Sequence, residues 1–147
     1  MPRQRLAVLA AALWWGSLTA IGAMAVPLLF SVLPNPSLAG YAAARLFSAQ
    51  SWVSLVCTVA LILCLRPRDG AGGMGVAGGA IGFVLAGALL ALLLEHGVSP
   101  RIQARQNLAF WHSLGSAMFA AQWICALVVL WRTGSAGAPA EPGAGTS

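Results

Sequence analysis

The sequence predicts an all-α integral membrane protein, a four-helix bundle with a disordered C-terminal tail, and three observations carry that prediction. Of its 147 residues, 59% are hydrophobic and 7% are charged, the mean hydropathy is +0.83, and the apolar residues fall in long blocks rather than amphipathic stripes. Four such blocks reach the roughly 20 residues that cross a hydrocarbon core about 30 Å thick at about 1.5 Å per residue. The 8 basic residues are all arginines, scattered singly or in pairs near the ends of those blocks, where they read as topology signals and not as a nucleic-acid surface. One membrane-embedded domain over residues 1–132 is expected, with helices at about 6–33, 38–65, 74–96 and 103–132 and a tail over 133–147. The lipid bilayer is then the chain's solvent, and nucleic acid is not among its partners.

Pro2-Arg3-Gln4-Arg5 precedes the first apolar run, Leu6 to Leu33. A basic start, an apolar middle and the small residues Ala23-Met24-Ala25 also fit a cleavable signal peptide. The apolar stretch runs on through Val26-Pro27-Leu28-Leu29-Phe30 and is long enough to span, so a retained helix is expected. Pro27 lacks an amide hydrogen and should kink or loosen the last turns, while Pro34-Asn35-Pro36 should force the chain out of helix. Ser37 is the expected N-cap of the second helix. Its first turns should ride at the interface, because Arg45 stands about 30 Å before Leu65. Ala42, Ala43 and Ala44 favour close packing.

Arg66-Pro67-Arg68-Asp69-Gly70 ends the second helix, and a glycine-rich stretch leads into the third. Gly75 with Gly79, and Gly78 with Gly82, stand four residues apart and suit packing within the bundle. The third helix should stop at Glu95-His96-Gly97, where glycine supplies a C-terminal signal. In the fourth, Trp111 and Trp131 bracket the lipid-spanning part like interfacial anchors, whereas Trp14, Trp15 and Trp52 lie far enough inside to be packing residues. Cys57, Cys64 and Cys125 lie within apolar segments without CxxC spacing and read as small buried hydrophobes.

Polar chemistry concentrates in the third connection, Glu95 to Asn107 and on to His112, which holds one of 3 acids, both histidines and two of 8 arginines. With four spans, the first and third connections share one membrane face, and Arg45, Glu95, Arg101, Arg105 and His112 become candidates for an interhelical lock built from charge pairs and hydrogen bonds. Arg105, His112 and Phe119 recur every seven residues, so a continuous helix would align them, with Leu108, Gly115, Ser116 and Gln122 on the same side. Arg3, Arg5, Arg66, Arg68 and Arg132 on the other face outnumber Arg45, Arg101 and Arg105. The positive-inside rule then places both termini in the cytoplasm.

Two blocks around that face resemble a family of small membrane proteins grouped as a domain of unknown function, together with the eukaryotic transmembrane protein 205. The first is Phe30, Leu33 and Pro34, then Ala39-Gly40, then Arg45-Leu46-Phe47; the second is Pro100-Arg101, then Arg105 and His112. The chain departs from the family's pattern after His112, where Ser113, Gly115, Ser116 and Phe119 follow, and late in the third helix, where Leu94-Glu95 replaces a frequent asparagine. The resemblance implies a four-helix bacterial membrane protein without an assigned activity.

The expected function is accordingly non-enzymatic, a multi-pass bacterial inner-membrane protein with a polar site or lock on one face and no cofactor. Ser99, Ser113 and Ser116 lack a nucleophile elbow and an acid to orient His112. The glycine-rich stretch lacks the Lys-Ser/Thr ending of a phosphate loop. The alternative reading is a haem- or metal-binding redox module using His96 and His112, or a small transporter subunit; both histidines are ligand types, but no carboxylate or cysteine cluster accompanies them. A homo-oligomer or a membrane protein partner remains open.

Overall fold

Buried positions on each of the four long helices repeat in alternating steps of three and four. They are Ala7, Ala11, Trp14 and Leu18 on the first, and Gln50, Ser54, Cys57 and Leu61 on the second. Ala80, Val84, Gly87 and Ala91 follow on the third, and Gln122, Ala126, Val129 and Thr133 on the fourth. A period near 3.5 gives each helix one narrow stripe and favours knobs-into-holes packing with a left-handed supercoil.

The computed structural model describes residues 2–66 and 76–136, and within them four helices are long and apolar enough to span: Pro2–Val32, Pro36–Leu65, Gly79–Gln103 and Leu108–Ser135. The first packs against the second and fourth, and the third packs against the same two, which closes a four-membered ring. Arg3 donates from Nη2 to the Leu63 carbonyl at 3.0 Å, and Gln4 donates to the Thr133 carbonyl. The start of the first helix therefore meets the ends of the second and fourth, as an up-and-down bundle requires. Trp14, Leu18, Leu61, Val84 and Val129 are fully buried at the centre, whereas Leu9, Leu13, Met24, Val56 and Leu89 on the outer faces are each more than half exposed. An apolar exterior of this kind is the surface of an integral membrane protein.

Two of the four spans contain a proline beyond their first residue, and each of these two prolines is preceded by a π-helical turn. Ala20–Ala25 is π-helical ahead of Pro27, with the Val26 amide bonded to the Ile21 carbonyl. Leu94–Val98 is π-helical ahead of Pro100, with the Ser99 amide bonded to the Leu94 carbonyl. Proline cannot donate to the carbonyl four residues back and its ring crowds that group. The wider turn shifts the bonding by one residue, so freed carbonyls need not face hydrocarbon unpaired. Pro27 thus widens the first helix without ending it, and Val26–Val32 continues as α-helix.

Several boundaries differ from those read in the sequence. Asn35, not Ser37, caps the second helix: its side chain accepts from the Ser37 amide at 2.8 Å, and Pro36 opens the first turn. Gly97 does not stop the third helix, which passes through it in the π turn and continues over Ser99–Gln103. The fourth helix begins at Leu108 and not near residue 103, because Arg105 and Asn107 take left-handed backbone conformations with φ of 54° and 37°. It then runs three residues beyond Arg132, to Ser135, with Thr133 buried. Trp52 points outward at 69% exposure rather than into the bundle. The stretch 67–75, with Gly75, and the tail beyond residue 136 lie outside the described residues.

Of the glycines that the spacing singled out, Gly79 is closely covered by the Arg132 guanidinium, but Gly82 is not approached, and the closest packing in the interior falls at Gly87. Around Gly82 nothing lies within 4 Å of where a Cβ would be, whereas at Gly87 a Cβ would sit 2.5 Å from Trp14 Cη2 and 2.6 Å from Cζ2. The indole fills the space a side chain would need. Gly87→Ala should therefore lower stability in detergent by about 1–3 kcal/mol through overpacking, while Gly82→Ala leaves it unchanged or higher; reversible unfolding of the two variants side by side checks both.

Candidate functional site

The polar face is assembled from the π turn of the third helix, the tight connection after it, and the first half of the second helix. Ser48 stands about 26 Å from Leu65 along the second helix, which places it just inside the hydrocarbon boundary. Across from it the π turn carries Glu95, half-buried. Ser48 Oγ lies 2.8 Å from Oε1 and 3.0 Å from Oε2 of Glu95, so one hydroxyl donor serves the carboxylate. Among the described residues Glu95 takes no hydrogen bond from an arginine.

The arginines are engaged elsewhere. Arg101 donates from Nη1 to the Gly97 carbonyl at 2.8 Å and lies 4.5 Å from the centre of the Trp111 ring, a separation at which ring and cation attract. Trp111 is thus a seat for Arg101 as well as an interfacial residue. Arg105 reaches across to the first connection and donates from Nη2 to Ser37 Oγ at 3.1 Å. Its left-handed backbone makes this reach possible: the Arg105 amide bonds to the Ile102 carbonyl at 3.0 Å and the Gln106 amide to Arg101 at 3.1 Å, turning the chain between third and fourth helices. Arg45 is exposed one turn before Ser48.

His112 is exposed in the first turns of the fourth helix, and His96 is exposed on the π turn. Because Arg105 lies in the connection and not on the fourth helix, the seven-residue alignment of Arg105 with His112 does not form. Among the described residues no group of three or more His, Cys, Asp or Glu side chains is placed to hold a metal ion. The three cysteines are free, Cys57 buried and Cys64 and Cys125 half-buried.

Of the motif positions, Phe47 makes the most informative contact, edge-on to Phe119 with centroids 5.2 Å apart at 74°. Phe119 in turn lies over Gly22, where a Cβ would come within 2.7 Å of its ring. First, second and fourth helices therefore meet at one aromatic layer below the polar face. Leu33 and Leu46 are half-buried, while Phe30, Pro34 and Pro100 are exposed at the two connections. Gly40 is half-buried with nothing within 4 Å of its missing side chain.

A second polar layer was not anticipated from the sequence. Gln122 donates to Ser54 Oγ at 2.8 Å, Gln50 donates to Ser17 Oγ at 3.0 Å, and Trp123 donates from its indole nitrogen to Thr19 Oγ1 at 2.8 Å. These bonds tie the second helix to the first and fourth, and the fourth to the first. The legible signal is the recurrence of Gln50, Ser54 and Thr58 every four residues inside an otherwise apolar run, which puts three polar groups on one buried stripe. Gln122 belongs to this interior stripe and not to the face that carries His112.

Neither curated proteins nor solved structures give a match to the chain. A family model matches residues 9–110, covering Phe30 to Phe47 and Pro100 to Arg105 and stopping short of His112. That match takes in three of the four spans and more than half of the sequence, and the chain belongs to the family described as Domain of unknown function (DUF4149).

Proposed function

We propose that this multi-pass membrane protein is non-enzymatic and that its first and third connections form an interhelical lock on one membrane face. The observation that carries the reading is the pair of crossings at that end, Ser48 to Glu95 and Arg105 to Ser37. Arg45, Arg101 and His112 belong to the same face, with Arg101 stacked on Trp111. What supports a non-enzymatic role is that Glu95 and Arg105 are each engaged by a serine of a neighbouring segment. The lock works through hydroxyl groups: Ser48 answers the half-buried Glu95 and Ser37 answers the exposed Arg105, so no second charge has to leave water beside Glu95. A bacterial inner-membrane location with both termini in the cytoplasm is part of the proposal, supported by the arginine excess on the face opposite the lock. So is a relation to the transmembrane protein 205 group, supported by the order of the two motif blocks.

A double-mutant cycle on Ser48→Ala and Glu95→Gln, read as unfolding free energy in detergent, should show a coupling of about 1 kcal/mol. Simple additivity of the two changes removes the lock. At Arg105 the left-handed backbone costs a non-glycine residue about 1–2 kcal/mol. Arg105→Gly and Arg105→Gln both lose the bond to Ser37, but only the first relieves that cost, so the glycine variant should be the more stable by about 1 kcal/mol. Orientation is read by alkaline phosphatase fusions: activity is expected for an insertion between Ala104 and Asn107 and absent for fusions at either end. Active terminal fusions would reverse the proposed topology.

A further inference from the structure

The buried stripe of the second helix holds more hydrogen-bonding capacity than its neighbours use. Gln50 is 3% exposed and Thr58 5%, yet Gln50 Oε1 and Thr58 Oγ1 have no hydrogen-bond partner, and neither does the indole nitrogen of the fully buried Trp14. Rotating the Gln50 amide does not remove the orphan. Ser17 Oγ already donates to the Trp14 carbonyl at 3.0 Å and Ser54 Oγ to the Gln50 carbonyl at 3.0 Å. Both hydroxyl protons are therefore taken, and only the Nε2 end of Gln50 can face those oxygens. Ser54 Oγ is also saturated, since it accepts from Gln122 at 2.8 Å and from Gln50 at 3.4 Å, so it has nothing left for Thr58.

The contacts of Ser17 with Gln50 and of Arg3 with Leu63 set the antiparallel register of the first two helices. In that register Trp14 stands level with the turn between Gln50 and Ser54. An acceptor, a hydroxyl and a donor thus lie along one segment of the interior, and each unpaired group left dry costs on the order of 1–3 kcal/mol. We propose that this segment is a hydration site, in which a short file of internal water molecules runs along the buried face of the second helix from Gln50 to Thr58, past Trp14. Water is the ligand whose chemistry fits, because it donates to Gln50 Oε1, accepts from an indole, and does either with a threonine hydroxyl. One molecule is too small: the two residues stand about 12 Å apart along the helix, whereas a single bridging water spans about 5.5 Å. This site is separate from the lock at the membrane face and does not depend on it.

The sign of one substitution distinguishes a wet seam from a dry one. Thr58→Val keeps the side chain's shape and deletes its hydroxyl. In a dry seam it removes an unpaired polar group and raises stability, and in a wet one it strands a water and lowers it. Water-edited NMR of the full chain in lipid nanodiscs should show magnetisation transfer from bound water to the Gln50 side-chain amide, retained in Thr58→Ser and weakened in Thr58→Val. The Thr58→Val unfolding midpoint should fall by about 3 °C. Should Thr58→Val not fold, the transfer in the natural chain and in Thr58→Ser decides alone. No transfer in the natural chain, or a Thr58→Val midpoint equal to or above that of the natural chain, overturns the proposal.

Discussion

In a hydrocarbon solvent an apolar side chain gains little by turning inward, so the inside of this bundle is distinguished from its outside by how closely its helices approach. The contact of Trp14 with Gly87 shows the principle in one place. The largest side chain at the centre lies in the gap left by a residue that has none, so the Trp14 indole spans the ring diagonal from the first helix to the third. Ala7, Ala11, Ala80, Ala91 and Ala126 continue the same arrangement on the buried stripes. Leu18, Leu61, Val84 and Val129 fill the centre beside them, while many other large aliphatic residues, such as Leu9, Leu13, Val56 and Leu89, face outward.

The same solvent explains why polar groups are handled with such economy. Prolines that would strand a carbonyl are each accompanied by a π turn. Hydroxyls that would be costly alone bond back to their own helix, as Thr19 does to the Trp15 carbonyl and Thr133 to the Val129 carbonyl. The charged side chains cluster where the helices leave the hydrocarbon, and Arg132 lies 5.3 Å from the Phe83 ring at the other end, much as Arg101 lies on Trp111. The interior network around Ser54 departs from this pattern, and for that reason it is the feature of the bundle that calls for a guest.

Much of the architecture was legible in the sequence because it follows from length and charge alone. Four apolar runs, arginines at their ends and the Pro34-Asn35-Pro36 break specify four crossings and a sharp first connection. The cap at Asn35 was also readable, since proline prefers the first position inside a helix and so assigns the cap to the residue before it. Other features were not. Left-handed Arg105 and Asn107 carry no sequence signal comparable to a glycine, and they move the start of the fourth helix and separate Arg105 from His112. Glu95 was expected beside an arginine, but the pairing of an acid depends on which face of a π turn it occupies, and α-helical spacing does not report that. Trp52 was assigned inward by its depth, although depth in a lipid-solvated chain says nothing about direction.

The π turns have one more consequence. A π turn holds an extra residue relative to the α-helix around it, and one residue corresponds to about 100° of rotation. Ala20–Ala25 therefore acts as a phase shifter between the half of the first helix that fills the core and the half that delivers Leu33 to its connection. Losing a single residue there would leave Trp14 in place and swing the lower segment by over a quarter of a circle. In this chain, insertions and deletions inside a span are steering changes, and their effects would surface at the loops rather than at the lesion.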